Sequence, residues 1–173
     1  MLYPAELREL WLSHPILTVL RMPHHTKDKG DLGVAKAHAD LVQQGFMVLF
    51  PATEHAPFDL VAYSGDQFIR VQVKYRSLRS GAVRVEFASM WADRNGTHRR
   101  PIDKAQIDVV CIYCPEVDEC FYLWPSNHGG VVSLRVAPAR NGQSLGVHPA
   151  ATYRHLALRP APQQELDLSY EAN

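Results

Sequence analysis

Two apolar-rich runs, 58–63 and 68–75, flank a polar interruption, and the second alternates apolar and polar from Ile69 to Lys74. Phe58-Asp59-Leu60-Val61-Ala62-Tyr63 reads as a strand, Ser64-Gly65-Asp66-Gln67 as a turn, and Phe68-Ile69-Arg70-Val71-Gln72-Val73-Lys74-Tyr75 as a second strand. Gly and Asp between two β-rich runs signal a hairpin. With Gly65 and Asp66 as the turn pair, Asp59 falls opposite Gln72, at a Cβ separation of ~5 Å. Lys74 shares the face of Gln72 because strand side chains alternate. The other face carries Leu60, Ala62, Ile69, Val71 and Val73, a core-forming set.

The same patterning predicts the neighbouring elements. A helix is expected from about Asp28 to Gln44, with Leu32, Ala35, Ala39 and Val42 as its apolar stripe and Gly45 ending it. Further strands are expected near 46–50, 83–88, 108–113, 119–124 and 131–136, and short helices near 5–12 and 150–156. The run Trp91 to Arg100 reads as a loop with an Asn95-Gly96 turn. A helix followed by mixed strands predicts an α/β or α+β fold, a mixed central β-sheet flanked by helices. One domain over 26–159 is expected, with an N-terminal extension (1–25) and a poorly ordered acidic tail (160–173).

Composition adds one asymmetry. The 173-residue chain is 46% hydrophobic and 21% charged, as a globular core requires, and its formal net charge is zero. That balance hides a basic middle: residues 68–104 hold nine Lys or Arg against three acids, whereas Glu165, Asp167 and Glu171 near the end face no base. A basic patch is the footprint of phosphate binding. Arg70, Arg76, Arg79, Arg84, Arg94, Arg99 and Arg100 are therefore candidate DNA contacts, to guanine edges or to phosphates. A solvated arginine-rich surface gives the same count, so charge alone does not choose. The apolar run Pro15 to Leu20 is far shorter than the ~20 residues of a spanning helix. With no secretory signal visible and three cysteines, a cytoplasmic, reducing location is expected.

The polar face of the hairpin is the candidate for chemistry. Magnesium takes oxygen ligands, usually one or two carboxylates completed by phosphate and water. Asp59 offers a charged oxygen, Gln72 an amide oxygen and Val73 a backbone carbonyl, while Lys74 can meet charge developing on a phosphate. Any half-buried antiparallel strand also alternates in this way, so the spacing is a weak signal by itself. Other constellations are weaker. Cys111-x-x-Cys114, with Cys120 and His128, invites zinc, but on a strand residues 111 and 114 point to opposite faces, which favours buried reduced thiols. His24 and His25 suit a surface or hinge, and His98 is a lone loop histidine. Glu54 and His55 read as turn residues or as supports for Asp59, and Glu86 as a second carboxylate if its strand is adjacent. No P-loop and no Gly-x-Ser-x-Gly elbow occurs, so nucleotide-triphosphate and esterase chemistry have no foothold.

Longer segments carry a resemblance. FDLVAYSGDQFIRVQVKYRS (58–77) resembles the PD-(D/E)XK nuclease signature in the variant with Gln before x-Lys, and KDKGDLGVAKAHADLVQQGFMVLFP (27–51) resembles the helix and strand that precede it. IDVVCIYCPEVDECFYLWP (107–125) and SLRVAPARNGQ (133–143) are similar to the C-terminal half of the subgroup containing group I intron homing endonucleases. The resemblance runs over roughly 26–156 and implies a restriction-endonuclease-like core. It also implies hydrolysis of double-stranded DNA to a 5′-phosphate, with Mg2+ (or Mn2+ in its place), and assembly as a homodimer or homotetramer. Residue by residue, Asp59 matches the acidic metal ligand, Gln72 the second ligand and Lys74 the catalytic lysine. Relatives commonly carry a helical Glu where this chain has Val34. Asp31, one turn back, is the candidate replacement, although an acid in a first helical turn also complements the helix dipole. Val34 leaves open a catalytically impaired DNA-binding protein on the same scaffold, and a Holliday-junction resolvase is a further alternative because branched-DNA nucleases resemble this scaffold too.

Overall fold

A computed structural model describes residues 25–137 and 147–159. The expected helix at 5–12, most of the N-terminal extension and the acidic tail lie outside the described residues. The chain opens with helix α1 (His25–Gln43) and continues through β1 (Met47–Leu49), β2 (Leu60–Ser64), β3 (Gln67–Tyr75), β4 (Ala82–Glu86) and β5 (Ala88–Asp93). Then come β6 (Gly96–Pro101), β7 (Val109–Cys114), β8 (Glu119–Leu123), β9 (Val131–Arg135) and β10 (His148–Pro149). Single 3-10 turns occupy Pro125–Asn127 and Ala150–Tyr153, the second replacing the helix expected near 150–156.

The β2–β3 hairpin forms in the register the turn residues dictate. Gly65 and Asp66 take φ values of 55° and 64°, the left-handed pair of a type I′ turn, whose twist matches that of the strands. Leu60 pairs with Val71, Ala62 with Ile69 and Ser64 with Gln67. This hairpin sits within a five-stranded sheet of order β1-β2-β3-β7-β8, in which β3 runs parallel to β7 and the other neighbours are antiparallel.

The sheet is buried differently on its two faces. On one, Leu60, Ala62, Ile69, Val71, Val109 and Cys111 pack under α1 through Ala37 and Leu41. The helix turns a different side to the sheet from the one its apolar pattern predicts: Leu32 and Val42 are 43% and 53% exposed, and Ala35 and Ala39 are exposed too. Small residues decide the contact. A Cβ on Gly33 would sit 3.4 Å from Val73 Cγ1, so glycine there lets the helix backbone approach the strand closely. Gly45, at φ 88°, ends the helix as expected, with its N–H on the Val42 carbonyl.

On the opposite face, Val110, Ile112, Phe121 and Leu123 meet Val83, Val85, Val132 and Leu134 of a three-stranded sheet, β10-β9-β4. The architecture is α+β: among the described residues one helix covers one face, and a second sheet replaces the flanking helices expected on the other. β5 and β6 form a two-stranded ribbon where the sequence suggested a loop, with Arg94 and Asn95 at its tip. The Asn95 N–H bonds to Asp93 Oδ1 at 2.7 Å, and Gly96 at φ 122° completes the turn. No described helix is long and apolar enough to cross a membrane.

Candidate active site

Asp59, Gln72 and Lys74 come together where the hairpin enters the sheet. The β2 ladder ends at Leu60, and the Asp59 N–H turns to the Val71 carbonyl at 2.9 Å. The Asp59 carboxylate then accepts the Val73 N–H through Oδ2 at 2.6 Å, which fixes it against β3 between Gln72 and Lys74. Those two residues alternate with Val71 and Val73, whose side chains face α1, so they occupy the face turned toward the second sheet. Lys74 Nζ donates to the Ala88 carbonyl at 3.1 Å, at the root of the β5–β6 ribbon.

Burial weighs on each of the three groups. Burial pushes the Asp59 carboxyl above the usual carboxylate range, against the Val73 N–H and the Lys74 charge, which pull it down. Burial, then the Arg76 charge, pushes Lys74 down to about 8, with Asp59 opposing. Gln72 Oε1 is buried and has no hydrogen-bond partner among the described residues. A buried acceptor left unpaired costs roughly 1–3 kcal/mol, so its persistence calls for a reason.

A divalent ion fits this donor set. The Asp59 carboxylate and the orphaned Gln72 oxygen are hard oxygen donors side by side, the chemistry magnesium prefers. Among the described residues no group of three His, Cys, Asp or Glu side chains could hold a metal. An ion here would depend on one carboxylate, one amide oxygen, backbone carbonyl, water and the substrate phosphate.

The helical candidate, Asp31, is exposed on α1, in its second turn rather than at its start, and α1 packs on the sheet face that bears Val71 and Val73. Val34 packs into the core beneath the helix. Asp28 is the acid in the first turn, so the dipole-complementing position belongs to it and not to Asp31.

The candidate DNA contacts divide into three groups. Arg76, Arg79 and Arg84 line an open groove of about 690 Å³ that ends at Ala88, the residue holding Lys74. Lys29, which sequence patterning did not single out, joins them from α1, stacked 5.6 Å over the Tyr75 ring; only the helix packing brings it there. Arg94, Arg99 and Arg100 are exposed on the ribbon. Arg70 stands apart. Its Nε and Nη2 grip the two Asp108 oxygens at 2.8 and 2.9 Å, and its N–H bonds Asp108 Oδ2 at 2.9 Å. That guanidinium ties β3 to the segment entering β7.

The remaining candidates have other surroundings. Cys111 and Cys120 are buried under α1 and Cys114 in the other core, all as free thiols. His128 packs against Phe87, His148 and Tyr153. Glu54 and His55 are exposed in the segment after β1. His98 Nε2 lies 2.9 Å from Asp93 Oδ1 across the ribbon. Glu86 lines the groove and pairs with arginines. His24 lies outside the described residues.

Comparison with known proteins bears on the fold and the family. The structure is similar to that of the bacterial homing endonuclease I-Ssp6803I, with a TM-score of 0.61 and 23% identity over 75% of this chain and 88% of that one. No curated protein matches the sequence. The sequence profile of PD-(D/E)XK endonucleases matches residues 24–156, well over half of the chain. The chain belongs to the PD-(D/E)XK endonuclease family.

Proposed function

We propose that the protein is a metal-dependent endonuclease that hydrolyses phosphodiester bonds in double-stranded DNA, in the manner of homing endonucleases. One observation carries this reading: the buried, unpaired Gln72 oxygen beside the Asp59 carboxylate, on the face that also bears Lys74. Asp59 and Gln72 would hold Mg2+, or Mn2+ in its place, and the bound ion would polarise the phosphate and lower the pKa of a water. Asp59 stays in position because the Val73 N–H fixes one oxygen and leaves the other open. Lys74, anchored at the Ala88 carbonyl, orients the attacking water and presents its ammonium to the charge that develops as the P–O3′ bond breaks. The groove cations Arg76, Arg79, Arg84 and Lys29 would follow the phosphate backbone. The ribbon with Arg94, Arg99 and Arg100 is of a kind that enters a major groove.

A duplex has two strands and each chain one such site, so a homodimer or homotetramer is the assembly that suits the reaction. Met47, Phe50 and Phe68 are each more than half exposed, apolar area of the kind that subunit contacts cover. The working unit is the domain at 26–159, in a cytoplasmic setting.

A second reading has one observation behind it: among the described residues no group of three His, Cys, Asp or Glu side chains gathers around an ion, so a metal at Asp59 would have few protein carboxylates. On that reading the protein binds DNA without cutting it. The test is cleavage of supercoiled, linear and branched DNA with Mg2+ or Mn2+, wild type beside Lys74→Ala. Metal-dependent cutting lost in the variant is expected. Salt-sensitive binding with no cutting by either protein would favour the binder, and cutting confined to branched DNA would make the protein a junction resolvase.

A further inference from the structure

The groove beside Lys74 contains a carboxylate where a polyanion would have to lie. Glu86 Oε1 is 3.5 Å from Arg84 Nη2, and Oε2 is 3.4 Å from Arg99 Nε. Arg84 stands two residues before Glu86 on the outward side of β4, Arg99 comes from β6 in the ribbon, and Arg76 follows β3. Three separate elements thus converge on one side chain. Glu86 also raises the Arg76 guanidinium against the lowering effect of its burial. The charges acting on Lys74 are instead those of Arg76 and Asp59. Glu86 is thus held by Arg84 and Arg99, and its charge also reaches Arg76.

These partners separate two roles for Glu86. A metal ligand would keep an oxygen for the ion, whereas both Glu86 oxygens turn to arginines. A carboxylate and a phosphodiester present the same feature to a guanidinium, two oxygens sharing one negative charge. We infer that Arg76, Arg84 and Arg99 form a second phosphate site, for a backbone phosphate flanking the scissile one, and that Glu86 occupies it in the free protein.

The inference rests on the proposed DNA substrate. DNA entering the groove takes the arginines from Glu86 and leaves an acid beside its own phosphate, so Glu86 holds down the affinity for arbitrary duplex. Arg99 links the site to the ribbon, so a ribbon seated on DNA carries this arginine away from Glu86 as it docks.

The experiment is binding of a fluorescent duplex of arbitrary sequence in EDTA, across a salt series, with thermal melting to confirm folding. Glu86→Gln keeps the shape and removes the charge; it is expected to bind about tenfold tighter, with a log K against log[salt] slope steeper by ~0.9. Glu86→Ala, a second variant in case the amide disturbs folding, moves the same way. Arg84→Gln is expected to bind more weakly with a shallower slope, and the double variant to lose most of the gain. Wild-type binding with Glu86→Gln and Glu86→Ala equal to it or weaker overturns the inference and leaves the proposed function standing. No binding by wild type or either Glu86 variant at low salt overturns both.

Discussion

Strand β3 carries two polar clusters on one face, and they are built in opposite ways. At Arg70 both partners are satisfied: the guanidinium forks onto Asp108, which also takes a backbone N–H, and each group stabilises the other's charge. The pairing raises the Arg70 pKa and holds the Asp108 carboxyl low, although burial alone works to raise the latter. Two and four residues farther on, Gln72 has an orphaned oxygen and Lys74 an ammonium that burial and Arg76 disfavour. The first cluster joins two strands. The second holds unspent capacity for a ligand, as sites that must bind charge in a dry cleft do. The residues alternate alike in both; what differs is whether the fold supplies a partner.

The largest separation of the two clusters should come from Lys74→Met. Cleavage is expected to fall by at least ~10²-fold while thermal stability at pH 7 rises. The direction follows from linkage. Lys74 falls from 10.5 unfolded to about 8 folded, so its ammonium costs stability below about 8, and the cost fades as pH climbs toward 10.5. The stability gap between the variant and wild type should therefore close over that range, as melting at a series of pH values would check. If the ammonium is the working form, kcat/KM should decline as pH rises through about 8; a rise through that range would make Lys74 a base instead.

Asp59→Asn should abolish cleavage with little change in melting, because the amide oxygen still accepts the Val73 N–H. Asp59→Ala should lose cleavage and also ~1–3 kcal/mol of stability, since it orphans that donor. Equal denaturant midpoints for the two variants would show that the 2.6 Å bond is unimportant. Arg70→Ala reverses the pattern: about 1 kcal/mol lost, discounted because the arginine is partly exposed, and cleavage kept. A collapse of activity in Arg70→Ala at full folding would place Arg70 on the DNA. The smallest effects belong to Gln72. Gln72→Glu is expected to keep part of the activity, and Gln72→Met to gain up to ~1 kcal/mol by removing the unpaired acceptor. A destabilised Gln72→Met would mean that the amide makes bonds of structural value.

Much of this was legible in the sequence, and the failures have physical causes. The Gly65-Asp66 turn fixes the register of the hairpin locally, so the pairing from Ser64 and Gln67 down to Leu60 and Val71 needed no tertiary information. The α1 stripe differs from the expected one because the buried side runs through Gly33, Ala37 and Leu41, the first two small rather than strongly apolar, while Leu32 and Val42 remain outside. The ribbon reads as a loop in sequence because β6, Gly-Thr-His-Arg-Arg-Pro, has no apolar alternation to mark it as a strand. Arg70 looked like its neighbours because its partner Asp108 is 38 residues away in sequence, beyond any local signal. Lys29 and Glu86 likewise gain their place only when α1, β3 and β4 pack together.

Direct binding of Mn2+, measured by calorimetry on the folded protein without DNA, tests the central claim most simply. Wild type and Arg70→Ala should each bind one ion per chain with the same affinity, Gln72→Met more weakly, and Asp59→Asn not measurably. Binding that survives in Asp59→Asn, or no binding by wild type at millimolar metal, would contradict a metal centre at Asp59 and Gln72.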